Sequence, residues 1–242
     1  MTSTRTALIT GAGRGLGRAL ATTLAGRGWR LLLTARTATD LTATAESLGA
    51  DADVVTRPGD VSDPVHRDHL AAVVGGWGGL DLLVNNASAL GPSPLRVLRD
   101  LSADDLVEVL AVNVVAAHAL TRALLPQVEA RHGVVLDISS DAAVEHYETW
   151  GGYGASKAAL DHLAVTLGRE ERGIHVYALD PGDMRTAMHQ AAFPGEDISD
   201  RPLPDEIAVP AILELLDLRP ASGRYRAAEL VAARAGRAGA VS

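Results

Sequence analysis

The chain has no cysteine, which removes disulfides, thiolate nucleophiles and thiolate-held zinc at one stroke. Any redox chemistry therefore needs a cofactor. Lysine is nearly missing too: of the 22 Lys and Arg residues a single one, Lys157, is lysine. A composition bias towards arginine is one account of that solitude, and a local demand for lysine is the other. Positive charge is in short supply overall. A net charge of −8 and a pI near 5.4 argue against a nucleic-acid footprint, which needs clustered Lys and Arg. No run of about 18 apolar residues appears, and the opening MTSTRTALIT lacks the form of a signal peptide. The expectation is a cytoplasmic protein with neither membrane nor nucleic-acid partners.

The 242 residues are 47% apolar and 21% charged, enough to bury the core of one domain. Short runs rich in Leu, Ile and Val alternate with helix-compatible stretches: TALIT then 15–27, RLLLTA then 38–48, ADVVT then 64–74. LDLLVNNA, a helix near 103–125, GVVLDISS, a helix near 154–171 and IHVYALDPG continue the series. Repeated βα units with few polar strand positions predict an α/β, Rossmann-like, doubly wound parallel sheet covered on both faces. Residues 205–218 suggest one more helix, kinked or started by Pro210, and GRYRAAELV a last strand. The expected domain is 1–230, with a lid over the ligand crevice at about 186–204. Residues 231–242 are expected to form a small, polar tail.

TGAGRGLG, Thr10 to Gly17, follows the first strand and opens a helix. Glycines there let backbone N–H groups approach a pyrophosphate, and a helix N-terminus adds positive potential. Gly11, Gly15 and Gly17 are spaced TGxxxGxG, and an ordinary structural turn is the competing reading. Arg36 ends the second strand, where an acidic residue would accept bonds from an adenosine ribose. Arginine cannot accept, but its fork can bind a 2′-phosphate, and Arg14 in the loop can join it. NADP(H) is therefore expected over NAD(H). Asp60 could meet the adenine or cap the helix ahead of Pro64.

YGASK places Lys157 four residues after Tyr153 with only Gly, Ala and Ser between them. On a helix the two share a face, and a neighbouring ammonium favours ionisation of a phenol whose ordinary pKa is near 10. Lysine is a compact donor able to reach ribose hydroxyls. The other tyrosines, Tyr147, Tyr177 and Tyr225, are followed at that spacing by Gly151, Pro181 and Glu229.

Taken in order, TGAGRGLG, DV at 60, NNA at 85, Asn113 in AVNVV, ISS at 138, YGASK and PG at 181 resemble the short-chain dehydrogenase/reductase family from Thr10 to about Thr186. The resemblance implies a seven-stranded parallel sheet, a bound nicotinamide dinucleotide, reversible carbonyl/alcohol interconversion on a small-molecule substrate, and a homodimer or homotetramer. It implies that Tyr153 is the general acid/base and that Lys157 lowers its pKa and holds the nicotinamide ribose. By the same resemblance Ser140 bonds the substrate oxygen and Asn113 holds a water linking Lys157 to solvent. The cofactor groove would also take in Leu16, Val61, Asn86, Ala87, Pro181, Gly182 and Thr186, the last contacting the carboxamide. Ser88 replaces the glycine usual after NNA, adding a Cβ near the cofactor. Asp180 and Asp183 put more acids around the PG turn than is usual, and the stretch before Tyr153 contains His146, Tyr147 and Trp150, which could meet substrate or serve as packing and rim residues. A dinucleotide sensor or scaffold without turnover, or an enzyme of the same fold turned to dehydration, epimerisation or cyclisation, stay open as alternatives.

Overall fold

A computed structural model describes residues 4–239. Among the described residues seven strands, all parallel, form one sheet in the order β3-β2-β1-β4-β5-β6-β7. They are β1 (Thr6–Thr10), β2 (Arg30–Ala35), β3 (Val54–Pro58), β4 (Leu82–Asn85), β5 (Val134–Ile138), β6 (His175–Asp180) and β7 (Gly223–Arg226). The order turns back between β1 and β4, and a crevice opens beyond the strand carboxyl ends at such a switch point.

Side-chain alternation divides the core in two. Ala7 and Ile9 of β1 face one side, packing with Leu20 and Leu24 of α1 (Gly15–Ala25) and Ile212 of α8 (Ala208–Leu218). Leu8 between them faces the other side, with Leu70 of α3 (Pro64–Gly75) and Leu120 and Leu124 of α5 (Ala117–Glu129). β1, β4 and β5 are buried along their whole length, as a parallel sheet covered on both faces requires. Truncating Leu8, fully buried, to alanine would cost roughly 2–5 kcal/mol.

Helix starts follow local chemistry. Asp63, with Pro64 behind it, caps α3 by accepting from the Val65 N–H at 2.9 Å. Ser102 and Asp105 form a reciprocal capping box at α4 (Ala103–Leu110). The helix then continues through a π-helical turn, Ala111–Ala116, into α5. By length and mean hydropathy, 1.5, this Ala103–Glu129 stretch could cross a membrane; here it packs on α3, α6 (Gly151–Glu170), β4 and β5. α2 (Ala38–Ser47), α6 and α7 (Ala187–Ala192) complete the elements before α8.

Among the described residues the chain does not end on a strand. The described part of 231–242 belongs to α9 (Ala227–Gly239), which follows β7 directly, so the last strand ends at Arg226. Leu230 and Val231 pack on the core, and Glu214 of α8 pairs with Arg237 and, at 4.0 Å, with Arg234. Small residues between those anchors suit a helix as well as a coil. Residues 240–242 lie outside the described part.

Candidate active site

The cleft at the switch point has a volume of about 530 Å³. Every residue expected at the site faces it except Gly17 and Asn113. Gly11 adopts φ +65°, and a Cβ there would press on Asn86 Nδ2 at 2.8 Å. Gly17 lies beneath, where a Cβ would overlap the Gly11 carbonyl oxygen. The Asn86 amide donates to the Thr10 carbonyl at 2.8 Å, and Thr10 Oγ1 accepts from the N–H groups of Asn86 and Ala87, both at 2.9 Å. These bonds lock the loop to the end of β4.

Arg14 caps α1 in an extended conformation with no side-chain bond to the first turn, so the helix N–H groups remain open to an anion. Exposed Arg14 and Arg36 both line this end. Asp60 does not cap α3, since Asp63 does; its carboxylate instead accepts from Ser62 N at 2.8 Å and Ser62 Oγ at 2.7 Å. Burial pushes Asp60 up, but those bonds and the nearby Arg36 charge outweigh it and hold the group below its usual range. A glycine cradle that a single Cβ would fill and an uncapped helix start beside two arginines fit a dinucleotide pyrophosphate.

At the far end α6 begins three residues earlier than expected, placing Tyr153 in its first turn and Lys157 one turn on. Lys157 is buried, its Nζ 5.5 Å from the Tyr153 ring centre and donating to the Ile138 carbonyl at 2.7 Å. Burial pulls the ammonium down to about 8, against the attraction of Asp137 and Asp161. Asp137 is pushed up to about 6 by burial, against the Asn85 hydrogen bond of 2.7 Å and the Lys157 charge.

Tyr153 corrects the expectation that its pKa falls. Burial pushes the phenol up to about 12, the Asp141 and Asp180 carboxylates add to the push, and hydrogen bonds with Ser88 and Ser140 oppose it. The ammonium is turned to a backbone oxygen and two carboxylates, so it does not offset the loss of water around the phenol.

The Asn113 side chain is buried and fully bonded. Its Nδ2 donates to Ala89 O and to Ser156 Oγ, both at 2.9 Å, and its Oδ1 accepts from Ala89 N at 2.7 Å and Ser88 Oγ at 3.1 Å. A primary amide has two donors and two acceptor positions, and all four are used to fix the Ala89 backbone and the Ser88 and Ser156 hydroxyls. The π-helical turn around it is a local break in the helical ladder that no spacing in the sequence announces.

Ser140 Oγ donates to Asp141 Oδ1 at 3.0 Å and accepts from Ala142 N at 3.2 Å. Ser139 is buried, its hydroxyl directed to the Ser140 carbonyl at 3.4 Å and the Asp161 carboxylate. Trp150 meets Tyr153 edge-on at 5.7 Å and Phe193 of the expected lid segment at 5.8 Å. α7 forms within that segment, capped by Thr186. His146 is exposed and does not line the cleft, whereas Tyr147 bonds Asp141.

Sequence reasoning missed Arg224 on β7. Its Nε donates to Asp161 at 2.8 Å, and its Nη2 donates to the Ser140 carbonyl at 2.9 Å and Asp180 at 3.4 Å. One side chain thus ties together α6 beyond Lys157, the backbone of Ser140 and the strand end before Pro181. The register of β6 with β7 brings it there.

Against known proteins, residues 5–197 match the family model for short chain dehydrogenases. The 3-oxoacyl-[acyl-carrier-protein] reductase of Escherichia coli is 33% identical over 189 residues, covering 76% of this chain and 75% of that one. An NADPH-dependent pterin aldehyde reductase of Arabidopsis thaliana is 31% identical over 217 residues, 88% of each chain. A short chain dehydrogenase from Shigella flexneri solved with NADP superposes with a TM-score of 0.85 at 29% identity, covering 92% of this chain and 95% of that one.

Proposed function

The chain belongs to the short-chain dehydrogenase family, and from that premise we propose that it is an NADP(H)-dependent oxidoreductase interconverting a ketone or aldehyde and its alcohol. The observation that carries this reading is the single cleft: an open helix start with two arginines at one end, and Tyr153, Ser140 and Lys157 at the other. A bound nicotinamide dinucleotide supplies the hydride. Gly11 and Gly15 leave room for its pyrophosphate, Arg14 and Arg36 pair with the 2′-phosphate, and Lys157 reaches the nicotinamide ribose.

In the reductive direction the phenol, kept protonated by burial, gives its proton to the carbonyl oxygen. Ser140 turns its hydroxyl onto the same oxygen and stabilises the developing charge. The resulting phenolate is held once the Ser88 hydroxyl turns to it from Asn113 Oδ1, with the Lys157 charge 5.5 Å from the ring centre. The NADPH in the pterin aldehyde reductase's name and the NADP bound by the Shigella protein support the choice of cofactor.

The experiment is NADPH oxidation followed by absorbance across a panel of ketones and aldehydes, with the alcohol identified in the products. Consumption of NADPH matched by alcohol is expected. Product formed without any change in NADPH would move the protein to the non-redox alternative, and binding without turnover to the sensor alternative.

Exposed Val107 and Val115 on the Ala103–Glu129 helix and Leu163 on α6 support a homodimer or homotetramer built across those helices. Sedimentation showing only monomer at micromolar concentration would reject it. A cytoplasmic location belongs to the same proposal, and the absence of cysteine is compatible with it.

A further inference from the structure

Asp141 stands beside the hydroxyl that the proposed reaction uses. Its Oδ1 accepts from Ser140 Oγ at 3.0 Å and from Ala142 N at 2.8 Å, and its Oδ2 accepts from the Tyr147 hydroxyl at 2.8 Å. A carboxylate offers about four acceptor positions, so one on Oδ2 is unfilled. The Tyr147 bond comes from a side chain about half exposed, 47%, and is open to exchange. All three donors are neutral. The other acids at this end of the cleft are engaged differently: Asp180 is held by Gly182 N and Arg224, and Asp183 by Arg201 at 3.4 Å and His189 at 3.9 Å.

The serine proton poses the second constraint. Ser140 has one, and in this arrangement it points to Asp141. A carbonyl oxygen only accepts, so assistance to the substrate requires that proton to leave the carboxylate. The loss is made good where the substrate itself brings a donor to Asp141. We propose that Asp141 is the specificity-determining residue of the substrate site, taking a protonated amine or N–H donor that the substrate carries next to its reacting carbonyl. Trp150, which lines the cleft and is backed by Phe193 at 5.8 Å, adds an aromatic surface suited to a flat ring on the same molecule. The substrate class is an amino ketone, amino aldehyde or nitrogen-heterocyclic carbonyl compound. This rests on the reductase reading above.

The test uses the NADPH-loaded enzyme and matched ketones, acetophenone and phenacylamine (the ketone with an aliphatic amine on the carbon next to the carbonyl), at a pH where that amine is protonated. The parent is expected to favour the ammonium ketone in kcat/KM by about tenfold or more, the size of one charge-assisted hydrogen bond. Asp141→Asn is expected to bring that ratio to within about twofold, whereas Tyr147→Phe keeps it. The ratio is taken within each variant, so a general loss of activity cancels, and the parent alone already decides the first point. A parent that reduces acetophenone with no preference, or an Asp141→Asn that keeps the parent's ratio, overturns the assignment and leaves the reductase reading standing. A parent that reduces no carbonyl of any kind overturns both.

Discussion

Lys157 Nζ stands 5.5 Å from the centre of the Tyr153 ring, yet it gives its 2.7 Å hydrogen bond to the Ile138 carbonyl oxygen. The pair is therefore adjacent without being directly bonded. With the phenol at about 12 and the ammonium at about 8, the lysine loses its proton first as pH rises. In the neutral range the tyrosine is a proton donor.

The pH dependence of reduction follows from that order. A lysine whose folded pKa lies below its ordinary value keeps its charge only beneath about 8. Steps that need the ammonium are thus complete at lower pH and fail as pH passes that value. Reductive kcat/KM is expected to be level below about 8 and to fall about tenfold per unit above it. Because Lys157 is the only lysine, protein made with Nζ-labelled lysine shows one lysine signal in NMR. A midpoint near 10.5, the ordinary value, would contradict the account.

Arg36 bears on cofactor choice. Arg36→Asp removes a donor fork and places an anion where the 2′-phosphate is expected. NADPH affinity is expected to fall about ten- to a hundredfold, with NADH gaining relative to it. Titration of both nucleotides against both proteins checks this, and an unchanged ratio would move the 2′-phosphate site elsewhere.

Arg224 bears on stability and positioning together. Arg224→Met leaves Asp161 without its guanidinium, leaves Asp180 with only Arg226 at 3.7 Å, and frees the Ser140 carbonyl. The arginine side chain is 21% exposed, so a cost of roughly 2–4 kcal/mol is expected rather than the full penalty of a broken buried pair. That corresponds to about 4–16 °C in Tm for a chain of this size. Arg224→Lys restores part of the stability, whereas kcat stays low because a point charge does not span three acceptors. Calorimetry with steady-state kinetics separates the two effects, and equal recovery of both would reduce Arg224 to a structural role.

The fold was largely legible in the sequence because apolar strands, glycine turns and helix starts are local signals. Tyr153 and Lys157 were legible for the same reason, one helical turn apart. What escaped depends on burial or on distant pairing. The Tyr153 phenol moves up because its surroundings are dry, which spacing alone does not encode. Nor does spacing show that the Ala89 backbone and the Ser88 and Ser156 hydroxyls take all four polar positions of the Asn113 side chain. Arg224 reaches the site from more than 60 residues beyond Asp161 and matches no motif. Gly236 and the alanines around it concealed α9, whose anchors are Leu230, Val231 and two arginines paired with Glu214.

The most direct test of the account is single-turnover reduction of one good carbonyl substrate by saturating NADPH, comparing the parent with Tyr153→Phe after confirming that both bind NADPH equally. Removal of one hydroxyl should slow the step by about 10²–10⁴-fold, the scale of a positioned general acid. Equal single-turnover rates would show that the proton comes from elsewhere.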